Sequence, residues 1–322
     1  MEQLIKTKFT ERFGITHPVI SAPMNLVSGG RLSAAVSEAG GLGLLGGGYG
    51  DGKWLDREFR QAGNSRVGIG MITWSFMQQP HLIEWVIAKK PAAIMVSFGD
   101  GEEIIKVAKA ENIPTIWQVQ TLEKAKQALA ANVDIIIAQG QEAGGHAKDR
   151  GLMTLLPAVR DMAGPDQIVI AAGGIADGRG LAASLALGAD GVMMGTRFYA
   201  CEEASSPDTA KKILTSTGGD KTVRSGIFDV ARGLDWPETY SGRCIENEFS
   251  NKWKENISGL KQNAKLEQDR FNSADPEDFT IRPVIAGEAL DLISEIKPAK
   301  TIIDNTVAEA AEILKKASGY LV

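Results

Sequence analysis

The 322-residue chain is 43% hydrophobic and 23% charged, an ordinary globular composition with enough length to enclose a large core. Its 35 basic residues are outnumbered by 40 acidic ones, and no Lys/Arg run is long enough to track a phosphate backbone, which excludes nucleic acid as a partner class. No run of about 18 apolar residues occurs, the N-terminus lacks the apolar stretch of a signal peptide, and Cys201 and Cys244 are too few for a disulfide framework and lack a metal-like spacing, so we expect a cytoplasmic protein with no membrane span, no metal site and plain thiols.

In chain order, residues 17–198 alternate short Val/Ile/Met-rich runs with longer segments of helical periodicity, the pattern of parallel strands joined by crossover helices. The predicted strands are 17–23, 41–47, 66–73, 92–98, 114–119, 133–139, 167–173 and 191–198. Each is nearly continuously apolar, as strands buried on both faces are. Helices are predicted over 102–112, 121–132 and 177–187, the last two opening on the N-cap residues Thr121 and Asp177. Beyond residue 198 the period breaks, and 201–278 reads as a helical and loop insertion, or small lid, within a single domain spanning 1–322. Residues 279–322 return to apolar periodicity and close with a helix at 305–317.

An open doubly wound sheet alternates in the same way, but a count of eight favours a closed (β/α)8 TIM barrel. So does the chemistry at the strand ends: Ala22-Pro23-Met24, Gly46-Gly47-Gly48, Trp74, Ser97-Phe98-Gly99, Gln118, Gln139-Gly140, Gly173-Gly174 and Gly195-Thr196. Those ends would share one rim, where barrels build their active sites.

On that rim, Gly173, Gly174, Gly195 and Thr196 follow the seventh and eighth strands, the recurrent phosphate site of barrels; the alternative is that the glycines only permit tight turns. Ala22, Pro23 and Met24 either lie against a flat cofactor or end a strand in ordinary packing. Gln118 and Gln139 either bond a cofactor's edge or cap the barrel layer. Met71, Trp74 and Phe98 either line an apolar pocket or fill the core. His146 is one of three histidines, and the preceding Gly144-Gly145 lets backbone and imidazole approach a ligand; its imidazole can exchange a proton near neutrality. His17, on the opposite rim, and His81, at a helix start, are read as structural, and Arg197 and Lys148 as ordinary charged residues near loops.

Together Ala22-Pro23-Met24, the Gln139-to-His146 run Gln-Gly-Gln-Glu-Ala-Gly-Gly-His, Ala172-Gly173-Gly174-Ile175 and Met194-Gly195-Thr196-Arg197 resemble the nitronate monooxygenases, formerly 2-nitropropane dioxygenases. The resemblance continues through the run Phe228 to Gly233, Trp236-Pro237 and Ile296 to Ala299. It implies FMN, with its ring over Ala22–Met24, its phosphate near Gly173, Gly174, Gly195 and Thr196, and His146 beside the substrate. It implies oxidation of an alkyl nitronate by dioxygen to a carbonyl compound and nitrite, His146 serving as base or as holder of the anion. The alternatives are an NAD(P)H-dependent flavin reductase acting on quinones or enoyl-acyl carriers, and a non-redox phosphate-binding isomerase or aldolase; whether the chain forms a homodimer stays open. One departure stands out: where many relatives have Gly-Gln-x-x-Gly-Leu-Ile, this chain reads Gly287-Glu288-Ala289-Leu290-Asp291-Leu292-Ile293, and the added charge of Glu288 bears on which anion is accepted.

Overall fold

Strands that are apolar on both faces satisfy their backbones by pairing with each other and bury their side chains inside and outside one closed sheet. In a computed structural model describing residues 5–320, the strands are β1 (Val19–Ser21), β2 (Leu42–Gly48), β3 (Gly68–Ile72), β4 (Ile94–Ser97), β5 (Thr115–Val119), β6 (Ile135–Gln139), β7 (Gly145–Ala147), β8 (Ile168–Ala172), β9 (Gly191–Met194), β10 (Thr222–Ser225) and β11 (Ser241–Ile245). β1 to β6, β8 and β9 pair in parallel in that order, and β9 returns to β1 to close the barrel. These eight are the predicted strands. The last one is overextended in the prediction, because the chain turns at Gly195 and Thr196–Tyr199 winds as a helical turn.

Strand parity divides the core. Ile20, Leu42, Leu44, Met95, Ile116, Ile135, Ile137, Ile168, Ile170, Ala172 and Met193 pack inside the barrel, while their neighbours Val19, Leu45, Val96, Trp117, Ile136, Val169 and Val192 face the helices. The foot is plugged by Phe9 and Phe13 on helix Lys8–Phe13, an element the strand-and-helix period did not predict. Crossover helices begin where the side-chain caps are: Thr121 accepts from the Lys124 amide, and Asp177 from those of Arg179 and Gly180.

Two segments differ from expectation. Residues 201–278 contain helices, as expected, but also β10 and β11, which join β7 in an antiparallel sheet of order β10-β11-β7. These strands are short, and β7 is Gly-His-Ala, which carries no local β signal; the pairing with β11 is long-range. Residues 279–298 are irregular, crossing the rim with only a 3-10 turn at Glu288–Leu292. The closing helix is longer than predicted, Ala299–Ala317, and packs against helices Gly178–Ala186 and Gly30–Glu38 to complete the wall. The terminal residues 1–4 and 321–322, which fall within the predicted domain, lie outside the described residues. Among the described residues no helix is long and apolar enough to cross a membrane.

Candidate active site

The same parity that fills the barrel aims its last inward positions at the mouth. On β5 and β6 the series Ile116, Gln118 and Ile135, Ile137, Gln139 ends in amides, on β8 it ends in Ala172, and on β9 in Met193. Above them lies a cavity of about 540 Å³, lined by Ala22, Pro23 and Met24 after β1, by Gln118 and Gln139, by Gly145 and His146 of β7, by Gly173 and Gly174 after β8, and by Gly195 and Thr196 after β9. Every residue singled out in the sequence for cofactor or catalysis borders this one space. The Pro23 ring reaches its place because Gly70 has no side chain; a Cβ there would fall 2.2 Å from Pro23 Cγ. Strain gathers here as well: Leu26 and Phe98, both lining the cavity, hold left-handed backbones at φ 59°.

His146 is held on three sides. Its Nε2 lies 2.9 and 3.1 Å from the two carboxylate oxygens of Asp229, and both side chains are only 10% exposed. Its ring stacks on Trp236, with centroids 3.4 Å apart and planes 4° from parallel. Its backbone pairs across the ladder with Gly242. Asp229 comes from helix Ile227–Arg232 and does not line the cavity, so it stands behind the imidazole. With the carboxylate accepting the Nε2 proton, the neutral ring keeps its lone pair on Nδ1. Trp236 in turn donates from Nε1 to the Tyr49 hydroxyl at 2.9 Å and sits edge-on to Phe98, Trp74 and Tyr240. Asp229 and Trp236 were visible in the sequence only as part of a family likeness; their signal as partners is spatial.

Gln139 makes three side-chain bonds and keeps one Nε2 hydrogen free of them. Its Oε1 accepts from Gln120 Nε2 at 2.7 Å and Gln118 Nε2 at 3.1 Å, and its Nε2 donates to the His146 carbonyl at 3.2 Å, so it ties the barrel layer to the histidine. On the opposite side, Gly173 adopts φ 102°, and a Cβ there would meet the Gly140 carbonyl oxygen at 2.9 Å. Gly195 differs: a Cβ would meet only Ala22 Cβ at 3.5 Å and Met24 Sδ at 3.9 Å, that is, the cavity itself. The Thr196 hydroxyl accepts from the Gly287 amide at 2.9 Å and keeps its own proton to donate. The helix after β8 is already capped by Asp177, whereas the turn Thr196–Tyr199 has no side-chain cap.

The remaining candidates separate cleanly. Met71 and Phe98 line the cavity, but Trp74 packs behind Tyr49 and Trp236 instead. Arg197 is buried and donates to the Ala200 and Glu295 carbonyls, each at 2.6 Å, making it a staple of the rim. Lys148 lies 5.3 Å over the Tyr240 ring. His81 is exposed; His17 is buried at the barrel's foot, where burial pulls its pKa below the ordinary value and the more distant Asp304 opposes that. Glu288 points away from the cavity that Gly287 and Ala289 line, and pairs with Arg243 at 2.6 Å, so its charge is compensated outside the site. Burial pushes the thiols of Cys201 and Cys244 up to about 12.

The profile of the nitronate monooxygenase family matches residues 6–65 and 64–309. A nitronate monooxygenase of Neurospora crassa is 33% identical over 99% of this chain and 96% of its own length. Among solved structures, FabK from Thermotoga maritima superposes with a TM-score of 0.85 at 29% identity, covering 98% of this chain and 100% of that one. Nitroalkane oxidase from Streptomyces ansochromogenes gives 0.75 at 25% identity, covering 94% and 98%.

Proposed function

Because the chain belongs to the nitronate monooxygenase family of oxidoreductases, we propose that it binds FMN in the rim cavity and oxidises an alkyl nitronate with dioxygen to a carbonyl compound and nitrite, with His146 as its catalytic residue. The observation that carries this reading is the single cavity, in which the apolar, amide and glycine positions expected at a flavin converge on an imidazole fixed by a carboxylate.

The residues fit such a cofactor. Ala22, Pro23, Met24 and Met193 offer an apolar bed, Gln118 an amide for a ring edge, and about 540 Å³ lies within the range of cofactor pockets. The open space at Gly195 is a cradle that any side chain would fill, and Thr196 has a proton to give to an anion. Gly173, Gly174, Gly195 and Thr196 would hold the phosphate, and Gly145 would leave room beside the ring. Once bound, the flavin supplies the electron transfer from substrate to dioxygen.

The chain's own residues bind, orient and handle the proton. His146 Nδ1 takes the α-proton of a neutral nitroalkane, and Asp229 at Nε2 stabilises the imidazolium that results. The same imidazolium holds the oxygens of a nitronate delivered as the anion. Trp236 covers one face of the ring and keeps water from it. Asp229 and Trp236 both come from residues 201–278, so we read that segment as a lid that completes the site within one domain spanning the chain.

The test is anaerobic stopped-flow mixing of the flavin-loaded protein with ethylnitronate, propionate-3-nitronate, NADH and NADPH in separate shots. Rapid bleaching by a nitronate, with nitrite released on admitting oxygen, is expected. Bleaching by a pyridine nucleotide alone overturns the proposal in favour of a reductase.

A further inference from the structure

The run that carries His146 is gripped from below by a residue the mechanism does not use. Arg224, on β10, donates from Nη2 to the Gln141 carbonyl at 2.5 Å and the Ala143 carbonyl at 2.9 Å, and from Nη1 to the Ser241 carbonyl at 2.6 Å and the Gly145 carbonyl at 3.4 Å. Among the described residues it makes no ion pair; its acceptors are carbonyls. Burial, with the neighbouring charge of Arg243, pulls its pKa down to about 10. Arg243 reaches the same Gln141 carbonyl at 3.5 Å while pairing with Glu288, whose amide donates to the Glu142 carbonyl at 2.9 Å.

A half-buried guanidinium that bonds only carbonyls, with Asp149, Glu288 and Glu142 acting on its charge from beyond ion-pair distance, spends its planar fork on a geometry that other side chains cannot match. Here it collects every second carbonyl of a glycine-rich run that has no sheet partner until Gly145. The peptides of this run are trans, so each captured carbonyl turns the next amide away from the guanidinium. Those next residues are Glu142, Gly144 and His146, and all three line the cavity. We propose that Arg224 is a positioning residue, which pins the Gln141, Ala143 and Gly145 carbonyls so that His146 meets Asp229 and the cavity in one orientation. The inference rests on the reading of His146 as the catalytic residue.

Arg224→Lys keeps the charge but replaces the fork with a point donor that cannot span the carbonyls. The flavin-loaded protein, labelled with 15N-histidine, reports on the three histidines, and His146 is assigned by its absence in His146→Asn. Wild type is expected to show one neutral His146 tautomer protonated at Nε2, and Arg224→Lys a mixed or broadened signal. With it, kcat on a neutral nitroalkane should fall about 10- to 100-fold with KM within about threefold, the cost of a small misplacement of a reacting group. An unchanged His146 signal in Arg224→Lys overturns the inference whatever turnover does. An altered signal with unchanged turnover upholds the positioning and overturns the role given to His146.

Discussion

Replacing Asp229 with Asn removes one charge at almost constant volume and separates the two jobs given to His146. Wild-type Asp229 offers Nε2 two oxygens, at 2.9 and 3.1 Å, in a pocket where both partners are nearly buried. A hydrogen bond to a charged group is worth about 1.5–3 kcal/mol and a neutral one about 0.5–1.5 kcal/mol, so the imidazolium loses on the order of 1–1.5 kcal/mol, close to tenfold, even if the amide oxygen faces Nε2. If the amide nitrogen faces it instead, the ring proton moves to Nδ1 and the base is gone, a loss on the scale of general-base catalysis, about 10²–10⁴-fold. Turnover of neutral nitroethane should therefore fall by at least about tenfold, and by about 10²-fold or more in the second orientation, while turnover of preformed ethylnitronate, which needs no proton removed, should fall clearly less than that of the neutral substrate. Oxygen uptake and nitrite release with each substrate at matched pH measure the split. Equal losses on both substrates, or neutral-substrate turnover within threefold of wild type, would refute the assignment of Nδ1 as base with Asp229 behind it.

Gly195→Ala should leave thermal stability nearly unchanged, since its Cβ enters open space, yet weaken FMN binding about tenfold or more in a fluorescence titration. Gly173→Ala should destabilise the fold by roughly 1–3 kcal/mol in urea unfolding, because φ 102° and the 2.9 Å approach to the Gly140 carbonyl leave a side chain no relaxed place. His17 has its folded pKa below the ordinary 6.5, so the unfolded chain takes up that proton first as pH falls; stability is full above about 6.5 and declines below it. Melting curves from pH 7.5 to 5 should show a shallower loss for His17→Gln than for wild type, and parallel slopes would contradict the burial argument. Both cysteines, with thiols pushed up to about 12, should be silent to a disulfide reagent at pH 8 in the native protein and react when it is denatured.

The barrel was legible because its strands are buried on both faces: runs such as Ile135–Gln139 and Ile168–Ala172 announce themselves by composition, and the glycines after them mark the rim. Thr121 and Asp177 were readable as caps because a cap is a local interaction. What surrounds His146 was not. Its strand is three residues with no β propensity, stabilised by a ribbon far away in sequence, and Asp229, Trp236 and Arg224 resemble ordinary residues of a polar insertion until the fold sets the first two against the ring and the third against the backbone that carries it. Glu288 shows the converse: the sequence exposes the extra charge but not Arg243, which neutralises it.

The 19-residue helix Ala299–Ala317 is the last element of the barrel wall to leave the ribosome, and it covers the flanks of two helices made long before it, Gly30–Glu38 and Gly178–Ala186. Until it emerges, the nascent barrel carries an apolar seam between its first and last βα units. The residues that aim His146 are synthesised ahead of that seal. Truncation within the final helix thus leaves a chain that possesses every residue of the site but a wall open along one side, and aggregation during synthesis, ahead of any loss of chemistry, is the failure such a chain would show.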